Sequence, residues 1–173
     1  VQIVNAKSGG KIKVTGYPNA TLGNEIQSMS SAQGGILEMT VVSTAGAAGN
    51  VKELAIFDLP FLFRSEKEAD AVVDGEVGQG LLKKFSEKNL IGLCYMDYGF
   101  RQVTNNKHPI KRLEDFRDLK LRTLQNRVYI DVFKALGATP LPLPYPETYT
   151  ALETKAIDGQ ESSYLVTKSS SYQ

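Results

Sequence analysis

The apolar and polar positions of this chain alternate between a two-residue and a three-to-four-residue period. Residues 1–7 read as the end of an amphipathic helix stopped by Gly9-Gly10, so the chain is expected to open inside an element. Residues 11–17 (KIKVTGY) alternate apolar and polar side chains as a half-buried strand does, and Pro18-Asn19 then turns the chain. Residues 24–33 predict a helix with Ile26 and Met29 on one face, ended by Gly34-Gly35. Residues 36–43 (ILEMTVVS) predict a buried strand, and the small residues 44–50 fit a loop or a helix start. The apolar run AIFDLPFLF follows, broken by Pro60.

Ser65 with Glu68 forms a capping box for a helix carrying Ala69, Val72 and Val73. After Asp74-Gly75, the residues Leu81, Leu82 and Phe85 mark a second helical stripe. Residues 90–98 and 101–104 predict strands, with a polar connector or short helix at 112–118. Residues 119–124 (LKLRTL) predict a strand with Lys120 and Arg122 on one face and Leu119, Leu121 and Thr123 on the other. Val128, Val132, Phe133 and Leu136 form a helical stripe ended by Gly137. Prolines exclude helix from 139–145, a helix is expected over 147–157, and the Ser-rich tail 162–173 fits neither period. Strands that alternate with helices predict an α/β fold with mixed, largely parallel sheets. Residues 99–103 lie between strand-like runs with no helix between them. They divide the chain into an expected first lobe, 1–99, and a second, 100–173.

The 173 residues suffice for one sizeable domain or two small lobes. With Lys plus Arg at 20 and Asp plus Glu at 19, the net charge of +1 gives no global reason to expect nucleic acid or an anionic membrane as partner. No stretch approaches the ~18 apolar residues of a membrane helix, and the start VQIVNAKSGGK has no basic, then apolar, leader pattern. The single cysteine, Cys94, makes no intrachain disulfide. Its apolar surroundings predict a small buried hydrophobe rather than a reactive thiol.

Candidate chemistry is sparse. His108, the single histidine, lies in the polar turn NNKHP and reads as a solvated loop residue. No His/Cys/carboxylate cluster has metal-ligand spacing, and no nucleophile elbow accompanies His108. The glycines of GEVGQG (Gly75, Gly78, Gly80) follow a helix instead of a strand, so they do not read as a phosphate cradle. Glu147, Glu153, Asp158 and Glu161 could pair for glycosidase chemistry, but Glu147 and Glu153 read as solvated helix faces and caps. Arg122 differs: it stands inside a leucine-flanked strand, just before a helix start at Gln125 and Asn126, where α/β sheets bind ligands. Its planar fork suits a carboxylate. Arg101 stands similarly after the run YGF. For both, an ordinary ion pair is the competing reading.

The segments ILEMTVVST, FDLPFLFRS, LKLRT, ALGATPLPL and ETYTALETKAIDGQE, preceded by Leu22-Gly23 and taken in this order, resemble a known family. It is the DctP-type solute-binding component of tripartite ATP-independent periplasmic (TRAP) transporters. The resemblance implies a type II periplasmic-binding-protein-like fold, with two lobes that close on a small organic acid. It further implies a periplasmic location, delivery to membrane permease subunits, no cofactor and no direct membrane insertion. Carried over by motif, Arg122 pairs with the substrate carboxylate and Arg101 is a second ligand-facing arginine. Ser43 and Thr44 face the cleft, and Gln125 follows the arginine strand. Ser162 stands where the family often has Asn after DGQE. Family members begin with an extra strand and most of a helix and continue well past Gln173, so an incomplete chain is expected. An enzyme acting on an organic acid, with Glu161 as the base beside Arg122, is a second reading. A sensory module of the same fold is a third.

Overall fold

The computed structural model describes residues 1–170 and Tyr172; of the tail, Ser171 and Gln173 lie outside the described residues. The first half is helical. Helices α1 (Gln2–Lys7) and α2 (Glu25–Gln33) are followed by α3 (Thr44–Ala47), a 3-10 turn at Lys52–Asp58, α4 (Glu66–Val73) and α5 (Glu76–Lys83). Local chemistry fixes their starts. The Asn24 side chain accepts from Gln27 N, while the Gln27 side chain accepts from Asn24 N, so two backbone donors that α2 cannot satisfy itself are met reciprocally. Ser65 Oγ accepts from Glu68 N at 3.2 Å to open α4. Met29, Ala47, Val51, Leu54, Leu81, Leu82 and Phe85 close into one core. A Cβ at Gly78 would stand 1.9 Å from the Val73 carbonyl oxygen, so the sharp turn from α4 into α5 requires glycine there. Gly78 serves this packing and Gly75 the helix start.

The second half is a sheet with helices. Strand β1 (Arg101–Asn105) precedes β2 (Lys120–Thr123), α6 (Arg127–Ala135), β3 (Thr139–Pro142), α7 (Thr148–Glu153), β4 (Gly159–Ser163) and α8 (Tyr164–Ser169). The strand order is β1-β4-β2-β3. β2 runs parallel to β3 and β4, and β1 runs antiparallel to β4. Leu119, Leu121 and Ala138 pack on Phe133 of α6 as the period-two pattern of 119–124 predicts. Arg122 therefore points to the other face, the one shared with its register partners Gln160 and Leu141. Gly137, with φ of +91°, ends α6 and turns the chain into β3.

Three predicted strands are not hydrogen-bonded strands. Residues 11–17, 36–43 and 90–98 run without a ladder among the described residues. Each meets the side-chain condition for a strand, but a strand also needs a neighbour to satisfy its backbone groups, and a sequence window holds no information about that neighbour. The alternation survives in part: Val42, Leu90 and Tyr95 turn onto the helical core, while Ile36, Val41, Ile91 and Leu93 stay exposed. Cys94 is exposed, contrary to the buried reading, because Tyr95 beside it takes the inward position. Ile26 is also exposed, leaving Met29 as the buried anchor of α2.

Gly159 limits how closely β1 and β4 approach: a Cβ there would meet Thr104 O at 2.0 Å. Gly159→Ala is expected to lower the unfolding free energy by about 1–3 kcal/mol, as overpacking does. Denaturant unfolding measures this, and an unchanged midpoint contradicts the packing described.

Candidate functional site

Arg122 is 2 % exposed, and no carboxylate among the described residues forms an ion pair with it. Its Nε donates to Leu143 O at 2.9 Å, its one hydrogen bond among those residues. Burial pushes its pKa below the ordinary arginine value, because removal from water disfavours the charged form. The Glu161 charge opposes this and the Arg101 charge adds to it. The guanidinium still stays protonated in neutral water. The sheet thus holds a cation whose terminal nitrogens lack an acidic partner among the described residues.

Arg101 is in the opposite situation. Its Nε donates to Glu161 Oε2 and its Nη2 to Glu161 O at 2.9 Å, and the guanidinium lies 5.4 Å from the centre of the Tyr129 ring. The register explains the pairing, since residues 101 and 103 share a face with Glu161. Burial lowers the Arg101 pKa, but the charge and hydrogen bond of Glu161 outweigh it, and the net direction is up. Glu161 is 1 % exposed, and its other oxygen accepts from Leu124 N at 3.1 Å. Among the described residues, Arg101 is thus in an ion pair and Arg122 is in none.

The helical half faces this region with two carboxylates. Glu25, in the first turn of α2, accepts from Ser43 N at 2.9 Å and from Ser43 Oγ at 2.7 Å. Its charge acts on both Arg122 and the phenol of Tyr98. Asp58 accepts from Thr44 Oγ1 at 2.9 Å and from Asn126 Nδ2 at 3.1 Å. Ser43 and Thr44 were expected to face a ligand, but both hydroxyls donate internally and hold these two acids in place. Gln125 is exposed in the loop before α6. Ser162 is buried on the Arg122 face, and its hydroxyl makes no hydrogen bond among the described residues. Gln160, 1 % exposed and register partner of Arg122, has both amide atoms without partners there. His108 is exposed, as expected of a solvated loop residue.

Sequence reasoning missed Glu25 and Asp58. Glu25 reads as an ordinary acidic first-turn residue, and Asp58 as a polar interruption of an apolar run. For Asp58 a usable signal existed, since an acid between Phe57 and Leu59 needs buried partners.

The fold is that of a mixed α/β protein, with one buried arginine that has no acidic partner among the described residues. The description "Bacterial extracellular solute-binding protein, family 7" (DctP) matches residues 1–173, and the chain belongs to this family. It is 37% identical to the 2,3-diketo-L-gulonate-binding periplasmic protein YiaO of Escherichia coli over 92% of this chain and 48% of that protein. The sugar acid binding protein DctPAm of Advenella mimigardefordensis, solved in complex with galactonate, superposes with a TM-score of 0.95 at 46% identity. That match covers 99% of this chain and 55% of the other. A TRAP periplasmic solute binding protein from Polaromonas, solved bound to D-erythronate, gives a TM-score of 0.94 at 39% identity, covering 99% of this chain and 56% of the other. The chain spans about half the length of the curated relatives it matches. No helix among the described residues is long and apolar enough to cross a membrane.

The Arg101–Glu161 pair joins β1 to β4, with Glu161 buried and Arg101 partly buried. Glu161→Ala leaves Arg101 an uncompensated buried charge and is expected to cost about 3–5 kcal/mol of stability. Equilibrium unfolding tests this; a loss under about 1 kcal/mol, typical of an exposed pair, contradicts it.

Proposed function

We propose that the full-length protein is a periplasmic receptor that binds a small hydroxylated carboxylate and delivers it to the permease subunits of a TRAP-type transporter. One observation carries this reading: among the described residues Arg122 is buried, charged and without an acidic partner, while the neighbouring Arg101 is paired with Glu161. A buried guanidinium is costly unless an anion meets it, and a bound carboxylate supplies two oxygens in matching geometry. In this reading residues 1–99 and 100–173 belong to separate lobes that meet near 99–103, where Gly99 adopts a positive φ of +76°. Closure of the lobes excludes water and strengthens the charge-assisted bonds.

The remaining groups fit a polyhydroxy acid. Glu25 offers carboxylate oxygens for hydroxyl hydrogens from the helical side, and Ser162 and Gln125 offer hydroxyl and amide groups from the sheet side. Arg101, held by Glu161, adds positive potential and uses any hydrogen-bonding capacity that Glu161 leaves free. Ser43 and Thr44 act through the acids they position. Galactonate and D-erythronate, bound by the two similar proteins, are acids of this kind. The enzyme reading loses its candidate base, because both Glu161 oxygens already accept hydrogen bonds.

Arg122→Ala in the full-length protein is expected to weaken galactonate binding by about 2–5 kcal/mol, the cost of removing one partner of a buried charge pair. Arg122→Lys should also bind more weakly, because a point charge cannot form the two parallel bonds. Titration calorimetry reads both variants, and wild-type affinity in Arg122→Ala rules out the proposed role.

A further inference from the structure

Asn126 has two duties. Its Oδ1 accepts from Val128 N at 2.8 Å and caps α6, and its Nδ2 donates to Asp58 Oδ2 at 3.1 Å and to Ala45 O at 3.3 Å. The last two contacts reach across the molecule, from the end of the arginine strand to α3 and the Lys52–Asp58 turn. Asp58 is 6 % exposed, and its other oxygen accepts from Thr44 Oγ1. An acid so enclosed needs all its partners in place, so the contact is all-or-none: drawing the sheet layer away removes Asn126 and admits water to Asp58.

We propose that Asp58 and Asn126 form a proton-linked latch between the helical layer and the arginine-bearing sheet, so that closing on an acid ligand takes up a proton. This rests on the receptor reading above, in which the two layers separate and close. The charged and titratable groups facing Asp58 are Arg101 of β1, Glu161 of β4 and Tyr129 of α6. Arg101 favours the carboxylate and Glu161 opposes it, and these two already neutralise one another. Burial therefore dominates and pushes the Asp58 carboxyl up to about 6 from its ordinary value of 3.8. The protonated acid stays fully bonded in the latch: its hydroxyl donates to Thr44 Oγ1 while its carbonyl oxygen accepts from Asn126. The sign follows from linkage. The closed form holds the proton more tightly than a form with Asp58 in water, so closure strengthens as pH falls through about 6 and is weakest above it.

Two measurements on the full-length protein test this. The first is a carbon-13 titration of the Asp58 carboxyl in the galactonate-saturated and in the ligand-free protein, assigned with Asp58→Asn. In the wild type a midpoint near 6 is expected with ligand bound and one nearer the ordinary aspartate range without it, and Asn126→Ser, which keeps a cap for α6 but loses the amide donor, is expected to narrow that difference. The second is galactonate affinity near pH 5 and near pH 7.5. About tenfold tighter binding at the lower pH is expected in the wild type, and none of that gain in Asp58→Asn. An ordinary Asp58 midpoint in the ligand-bound wild type, or the same pH dependence in Asp58→Asn, overturns the latch and leaves the receptor reading intact. If galactonate binds at neither pH, the proposed ligand class fails instead, and the same two measurements with D-erythronate decide the latch.

Discussion

A guanidinium removed from water must be compensated, and among the described residues the partly buried Arg101 has an acidic partner while the buried Arg122 has none. Arg101 has Glu161, two hydrogen bonds to it and the face of Tyr129. Arg122, one strand position beyond the core residue Leu121, has a single backbone carbonyl. The asymmetry follows from the pleat. Glu161 and Arg101 share the face that carries α6, whereas Arg122 points to the other, so the nearest acid is spent on the wrong arginine for self-neutralisation. The leftover positive charge is what an anionic ligand can meet.

The sheet and its helices set this geometry with ordinary devices. Parallel β2, β3 and β4 place the loop after β2 at one edge of the sheet, where α/β proteins bind ligands. Gly159 permits the close approach of β1 and β4 that aligns Arg101 with Glu161. On the helical side, the same residues that start α3 hold the facing acids: Ser43 caps the helix and bonds Glu25, and Thr44 bonds Asp58. Capping and site construction are one set of hydrogen bonds here, so a change at either acid propagates to a helix start.

The sheet half was largely legible in the sequence because its signals are local. LKLRTL states its own alternation, Gly137 marks the end of α6, and an arginine among leucines announces a buried cation. The helical half was legible only as elements. Residues 36–43 and 90–98 carry strand-like side chains, but their ladders depend on partners a window cannot show, and their outward faces stay exposed. The site was half legible. Motif and position single out Arg122 and Ser162, which lie buried on one face of the sheet. Arg101 was found, but its engagement with Glu161 depends on a register across 60 residues of sequence. Glu25 and Asp58 were missed because what distinguishes them is the donors folded against them, which come from residues 14 to 68 positions away.

The most direct test is a crystal structure of the full-length protein with a bound sugar acid. The account predicts the ligand carboxylate on the Arg122 guanidinium in two parallel hydrogen bonds of about 2.7–2.9 Å, with Arg101 still on Glu161. A ligand bound elsewhere, with Arg122 paired to a protein carboxylate from the rest of the chain, would contradict it.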